Sequence, residues 1–277
     1  MYRTEELLPA VDPRFSDLLR RADDLDKDWE HIEGMVYDLQ RALDNSTAAQ
    51  AASYSPMSRT DGLSEGRRNL TRRTVEIVAK RLSVAGVALK IDAEPIVEYF
   101  FGFRQRWQEN ERPAFSCRAV VLRTLELYQD QADALVRKQA ALSFAHAFAL
   151  RHQRNEEMKG CALLEISAGV DPYWSPARFT TSTKDRLRTA LRSLGAVFAL
   201  TELAQADASP LAEAEALISQ LEAANWVPER SFRGRAYGVE VRLFQSRIKF
   251  LVPRATVGRL NAFISQHAPE YFDVNHG

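Results

Sequence analysis

The sequence predicts an α+β fold, mainly α: a helical bundle with a long N-terminal heptad helix and a small antiparallel β-hairpin-helix module at the C terminus. Three observations predict it. Apolar residues recur three and four apart through Phe15, Leu18, Ala22, Leu25, Trp29, Ile32, Val36, Leu39 and Leu43, which is a heptad seam. Helical periodicity then persists in separate stretches to about residue 152. After Gly160 short strand-like runs appear, most clearly in Val239-Glu-Val-Arg-Leu243, where every second residue is apolar. With 277 residues, 45% of them hydrophobic, the chain can bury one large core or two smaller ones.

The elements follow in order. Asp12 caps the first helix with Pro13 at its first position, and Asn45 with Ser46 ends it. Such a helix is about 45 Å long, so its seam needs long partners from this chain or from a second copy. Residues 46–65 are rich in Ser, Ala, Thr and Gly and read as a linker. A helix from about Leu70 to Val84 buries Val75, Val78 and Leu82, and carries Arg68, Arg72, Glu76 and Lys80 on its polar face. Asp92 enters the next helix, with Ile96, Phe100, Phe103 and Trp107 as its stripe and Phe101 beside it. Residues Ser116 to His152 read as two helices or one kinked helix. Cys161 to Ser167, between Gly160 and Gly169, reads as a buried strand. Ser182-Thr-Lys-Asp185 reads as a capping box before Leu187, Leu191, Leu194 and Phe198; Ser209-Pro210 starts another helix with Leu217, Ile218 and Leu221. The last segment is strand, strand, helix, with Gln245-Ser246 at the turn and Leu260 and Ile264 on the final helix. Because a lone hairpin is marginal in water, the 161–167 strand is expected to pair with it or the helix to cover it. The expected domains are the heptad helix at 1–45, the linker at 46–65, a helical domain at 66–158 and an α+β domain at 159–277.

Charge is balanced in sum and unequal along the chain. There are 37 basic and 37 acidic residues, which excludes a uniformly basic nucleic-acid coat and an acidic mimic of DNA. Residues 1–60 hold 12 acidic against 7 basic residues, a balance of −5, and residues 227–260 hold 2 against 8, a balance of +6. The second cluster supplies the candidate nucleic-acid contacts Arg233, Arg235, Arg242, Arg247, Lys249, Arg254 and Arg259. Strand alternation puts Arg242 and Lys249 on the face away from Val241 and Phe250. The competing reading docks this cluster against Asp23, Asp24, Asp26, Asp28 and Glu30 of the first helix. Phe101, Phe103 and Trp107 are the candidate protein-binding residues.

No glycine-rich phosphate loop, Cys-x-x-Cys, His-Glu-x-x-His or Gly-x-Ser-x-Gly occurs, so no catalytic residue, metal ligand or cofactor is assigned. His146 and His152 lie about 120° apart on a helix, a poor metal pair, and His146 reads as a core residue. Asp171, before Pro172, reads as a turn residue. The most apolar window, Ala140 to Leu150, is too short for a membrane span, which takes about 20 residues. With two separated cysteines and no secretory leader at Met1, a cytoplasmic chain with reduced thiols is expected.

Gly160 to Leu200 and the run from Val239 through Leu260-Asn261 to Ile264 resemble domain of unknown function 4942. That family combines a helical first part, a central strand, a helix and a final strand-turn-strand-helix ending in Leu-Asn. Its hairpin usually turns through Asn-Gly-Asn, where this chain has Gln245-Ser246-Arg247. The resemblance implies a plasmid or prophage setting, sometimes beside DNA methyltransferases, and carries no established reaction. The expected function is that of a non-enzymatic accessory protein of a mobile element, contacting DNA, RNA or a nucleoprotein through the basic module. Two alternatives stand beside it: an adaptor or inhibitor in host defence or anti-defence, and an enzyme with a site near His152, Glu165 and Asp171. A homodimer through the heptad helix is a further expectation.

Overall fold

A computed structural model of the chain describes residues 12–44, 57–102, 114–154, 156–201 and 211–273. The chain is 62% helical with a small antiparallel sheet, which makes it α+β and mainly α. It divides into two compact units, Met1–Leu82 with Lys90–Gln131, and Ser83–Leu89 with Ala132–Gly277. This division differs from the expected one. The heptad helix belongs to the first unit because it packs on other helices there, and the expected domain at 66–158 is cut at residue 131.

The first unit contains α1 (Ser16–Asp44), α2 (Met57–Arg81), α3 (Glu94–Phe101) and α4 (Cys117–Tyr128). Helix α1 packs against α4 and α2. Its seam is buried at Phe15, Leu18 and Ala22, half-buried at Leu25, Trp29 and Val36, and exposed at Ile32 and Leu39. Helix α2 begins at Met57, so the second half of the expected linker is helical. Gly62 helped give those residues the look of a loop, and Gly66, just beyond them, serves packing. A Cβ there would lie 2.5 Å from the Trp29 ring, so a larger residue would force the indole to shift from its place across α2. One turn later Glu33 takes a forked pair from Arg67 at 2.6 and 2.9 Å, which fixes the register of the two helices.

Val75, Ile96, Phe100 and Val120 form the centre of this unit, surrounded by Tyr99, Phe101 and Phe115. The start of α4 is closed twice. Ser116 accepts from the Ala119 N–H at 3.0 Å, and the Asp26 carboxylate on α1 accepts from the N–H groups of Cys117 and Arg118.

The second unit holds α5 (Ala132–Ala147), α6 (Thr181–Leu200), α7 (Ala212–Ala223), α8 (Arg254–His267) and a five-stranded sheet. In chain order its strands are β1 (Glu157–Met158), β2 (Cys161–Ser167), β5 (Gly234–Ala236), β6 (Val239–Leu243) and β7 (Arg247–Pro253), with spatial order β1-β2-β7-β6-β5. A separate pair, β3 (Val170–Asp171) and β4 (Arg178–Phe179), precedes α6. The expected strand at 161–167 pairs antiparallel with β7 along its full length, and so completes the hairpin. Tyr237 and Gly238, both with positive φ, make the two-residue turn from β5 to β6. Helix α6 starts two residues earlier than the expected capping box, because Thr180 accepts from the Thr183 N–H.

One sheet face is apolar. Val241 lies opposite Phe250, Leu243 opposite Ile248, and Leu164 and Ile166 of β2 continue both rows. Phe148, just past α5, meets the Phe250 ring edge-on at 4.9 Å, and Leu187, Leu191 and Leu194 of α6 are fully buried.

Candidate functional site

The opposite face of the sheet collects the charge. Strand register sets Glu165 against Lys249, Lys249 against Arg242, and Arg235 against Glu240; Arg233 arrives just before β5 and reaches Glu240 at 3.6 Å. Arg247 stands at the end of β7, opposite Ser167. Five of the seven expected contact residues therefore share one surface with two carboxylates, a local balance of +3. Arg242 and Lys249 share the face away from Val241 and Phe250, as alternation requires.

Burial divides the five. The side chain of Arg242 is only 10% exposed and that of Lys249 only 14%. A buried cation without a counter-charge is costly, and each has one. Arg242 donates to Glu240 at 2.7 Å, and Lys249 lies 2.9 Å from Glu165. The Arg242 hydrogen bond holds the Glu240 carboxyl below its ordinary range, against the opposing effect of desolvation. These two cations brace the sheet, while Arg233, Arg235 and Arg247 are exposed at its margins. Of the remaining candidates, Arg254 pairs with Glu157, and Arg259 is exposed on α8.

The counter-charges come from within each unit. Glu157, Glu165 and Glu240 serve the basic cluster. On α1, Asp17 pairs with Arg81, Asp23 with Arg118 and Glu33 with Arg67.

At the β2 end of the charged face lies an open cavity of about 690 Å³. His152, Glu165, Ser167, Arg186, Ser246 and Arg247 line it. The Ala168 N–H donates to the Ser246 carbonyl at 3.0 Å, which ties the end of β2 to the hairpin turn and holds Ser167, Ser246 and Arg247 together. Arg186 comes from the first turns of α6 and donates to Ser182 Oγ at 3.0 Å and to the Ser167 carbonyl at 3.4 Å. Gln153 locks the cavity's inner wall. Its amide accepts from the Glu165 N–H and donates to the Glu165 carbonyl, taking the place of a neighbouring strand.

His146 also lines the cavity and is exposed, its ring edge-on to Tyr271 at 4.9 Å, so it is not the core histidine that the sequence suggested. His152 and Glu165 share the cavity, whereas Asp171 is not among its lining residues and accepts from the Tyr173 N–H in a local turn. Arg186 was missed because its spacing in α6 gives no signal; only the fold brings it to Arg247, 61 residues away. Beyond that turn Tyr173 and Trp174 are exposed, with Arg178 stacked 4.5 Å from the Trp174 ring.

Phe101, expected on a partner-binding face, is half-buried and packs on Phe115 at 5.2 Å within its own unit. Phe103 and Trp107 lie outside the described residues. Among the described residues no group of three or more His, Cys, Asp or Glu is placed to hold a metal ion, and no helix is long and apolar enough to cross a membrane. Comparison with protein-family models, with curated proteins and with solved structures finds no match.

Proposed function

We propose that the chain is a non-enzymatic accessory protein that contacts nucleic acid, or a nucleoprotein, through the charged face of its sheet. One observation carries this reading: five cations meet two carboxylates on a single face, and the cations at its margins, Arg233, Arg235 and Arg247, are exposed. A phosphate backbone is recognised by such a surplus without a base-reading element. The resemblance to domain of unknown function 4942 supports a plasmid or prophage setting and hence a cytoplasmic site of action.

The reading is tested by a salt series with duplex and single-stranded DNA and RNA. Binding is expected to weaken steeply with salt, and Arg233→Ala with Arg235→Ala is expected to cost about tenfold in affinity and to lower the salt slope by about 2. No binding at low salt, or affinity unchanged in the double variant, would sink it.

A second reading, as a protein-binding adaptor or a homodimer, is favoured by the far half of α1, where Ile32, Met35 and Leu39 are 41%, 52% and 57% exposed. Light scattering over a concentration series separates the two forms of that reading.

A further inference from the structure

We propose that the cavity beside β2 is a binding site for a phosphoryl group, with Arg186 and Arg247 as its cationic jaws. The inference does not rest on nucleic-acid binding by the sheet face. It rests on how the cavity is built and on how its charges are used.

Arg186 has no carboxylate within ion-pair distance among the described residues. Its side chain donates to neutral oxygens of Ser182 and Ser167, which orient it toward β2 and leave its charge unneutralised. Arg247 faces the same cavity and shares Glu165 with Lys249, at 3.4 and 2.9 Å respectively. One carboxylate thus serves two cations, and the nearer one is Lys249. Arg154, also in the lining, meets Glu156 only at 3.9 Å with both side chains exposed, a pair worth little in water. Counting Lys249 with the lining gives four cations against Glu156 and Glu165, a surplus of two.

The remaining lining suits a tetrahedral oxyanion. Ser167 and Ser246 offer hydroxyl donors from segments tied together by a backbone hydrogen bond, and His152 adds a ring N–H. Guanidinium groups bind phosphate oxygens in forked geometry, and their planar fork loses less freedom per hydrogen bond than an ammonium does. A volume of about 690 Å³ exceeds what inorganic phosphate fills and falls in the range of pockets that hold nucleotide-sized molecules. The phosphoryl group therefore belongs to free phosphate or to a mononucleotide, and the experiment separates the two.

Isothermal titration of the full chain at low salt with inorganic phosphate, adenosine 5′-monophosphate and adenosine tests the proposal. Phosphate and the nucleotide are expected to bind and adenosine is not. A nucleotide that binds at least about tenfold more tightly than phosphate identifies the mononucleotide as the ligand class; equal affinities identify free phosphate. Arg186→Gln, on an exposed helical position, is expected to weaken both by about tenfold or more while leaving the thermal unfolding midpoint unchanged. Arg233→Ala with Arg235→Ala is expected to leave both affinities unchanged, which keeps this result separate from that of the sheet face. Absence of phosphate and nucleotide binding up to about 10 mM, or affinities unchanged in Arg186→Gln, overturns the proposal.

Discussion

On α1 the carboxylates sit at the surface and reach outward to arginines of neighbouring helices; on the sheet, two of the five cations lie nearly out of solvent and are held by glutamates of adjacent strands. The pairs Asp23–Arg118 and Asp17–Arg81 have side chains between 42% and 50% exposed, against 10% for Arg242 and 14% for Lys249. Two charge runs of similar size in sequence thus become different structures. A helix can turn its acids into water along most of its length, whereas a strand in the middle of a sheet must place every second side chain over its neighbours. The lesson is that local charge balance overstates the cationic surface of a sheet and describes that of an exposed helix more faithfully.

The sharpest test of this contrast removes one carboxylate from each region. Glu165→Ala leaves Lys249 without its counter-charge at a mostly buried position and is expected to destabilise the fold by about 3 kcal/mol. Asp23→Ala breaks an exposed pair and is expected to cost no more than about 0.5 kcal/mol. Urea unfolding measures both. Equal costs would erase the distinction between a bracing pair and a surface pair.

Two acids of α1 depart from the surface pattern, Glu33, whose side chain is 16% exposed in its pair with Arg67, and Asp26. Asp26 caps α4 through the N–H groups of Cys117 and Arg118, so Asp26→Asn is expected to lose about 1 kcal/mol, between the two values above. Cys117 reports on the same contact. Burial first, and then the Asp26 charge, push its thiol up to about 12 from an ordinary 9.0. The folded state therefore retains the proton that the unfolded state releases. This contribution to stability is present below about pH 9 and is lost as pH rises through about 12. Asp26→Asn is expected to shift the upper end of that loss to lower pH, read by unfolding across the alkaline range. At about pH 8 a thiol reagent should label half-buried Cys161 in the native protein and reach Cys117 only on unfolding.

The elements that were legible in the sequence are those whose periodicity runs long enough to be counted. The seam of α1 and the stripe of α6 belong here, whereas the strand at 161–167 was legible as an apolar run bounded by Gly160 and Gly169. Strands β1, β3 and β4 have two residues each, too few for any alternation to show. Glycine misled at residue 62, inside the expected linker, since the residue that loosens a loop is also tolerated within a helix, as Gly66 beside the Trp29 indole shows. The basic cluster was legible as a list of residues. Which of them remain available was not, because that depends on Glu157 and Glu165, which lie far away in sequence and arrive only when β2 pairs with β7. The cavity drew its residues from the end of α5, the stretch after it with His152, Gln153 and Arg154, β2, α6 and the β6–β7 turn, and no local pattern joins those five segments.

The smallest expected effect concerns α1 itself, whose two halves differ although one heptad seam runs through both. Phe15, Leu18 and Ala22 are each at most 4% exposed, while Leu39, in the same seam, is 57% exposed. Removing a well-covered leucine costs several kcal/mol, and Leu18→Ala should lie in the range of about 2–5 kcal/mol. Leu39→Ser should change the stability of a monomer by less than about 0.5 kcal/mol, because little apolar surface returns to water. In a dimer joined through this half of the seam the same change removes a buried contact. Stability would then fall by more than about 1 kcal/mol and depend on protein concentration, as linkage requires. Unfolding of Leu39→Ser at two concentrations therefore decides whether the heptad repeat ends where its partners within the chain end or continues into a second copy.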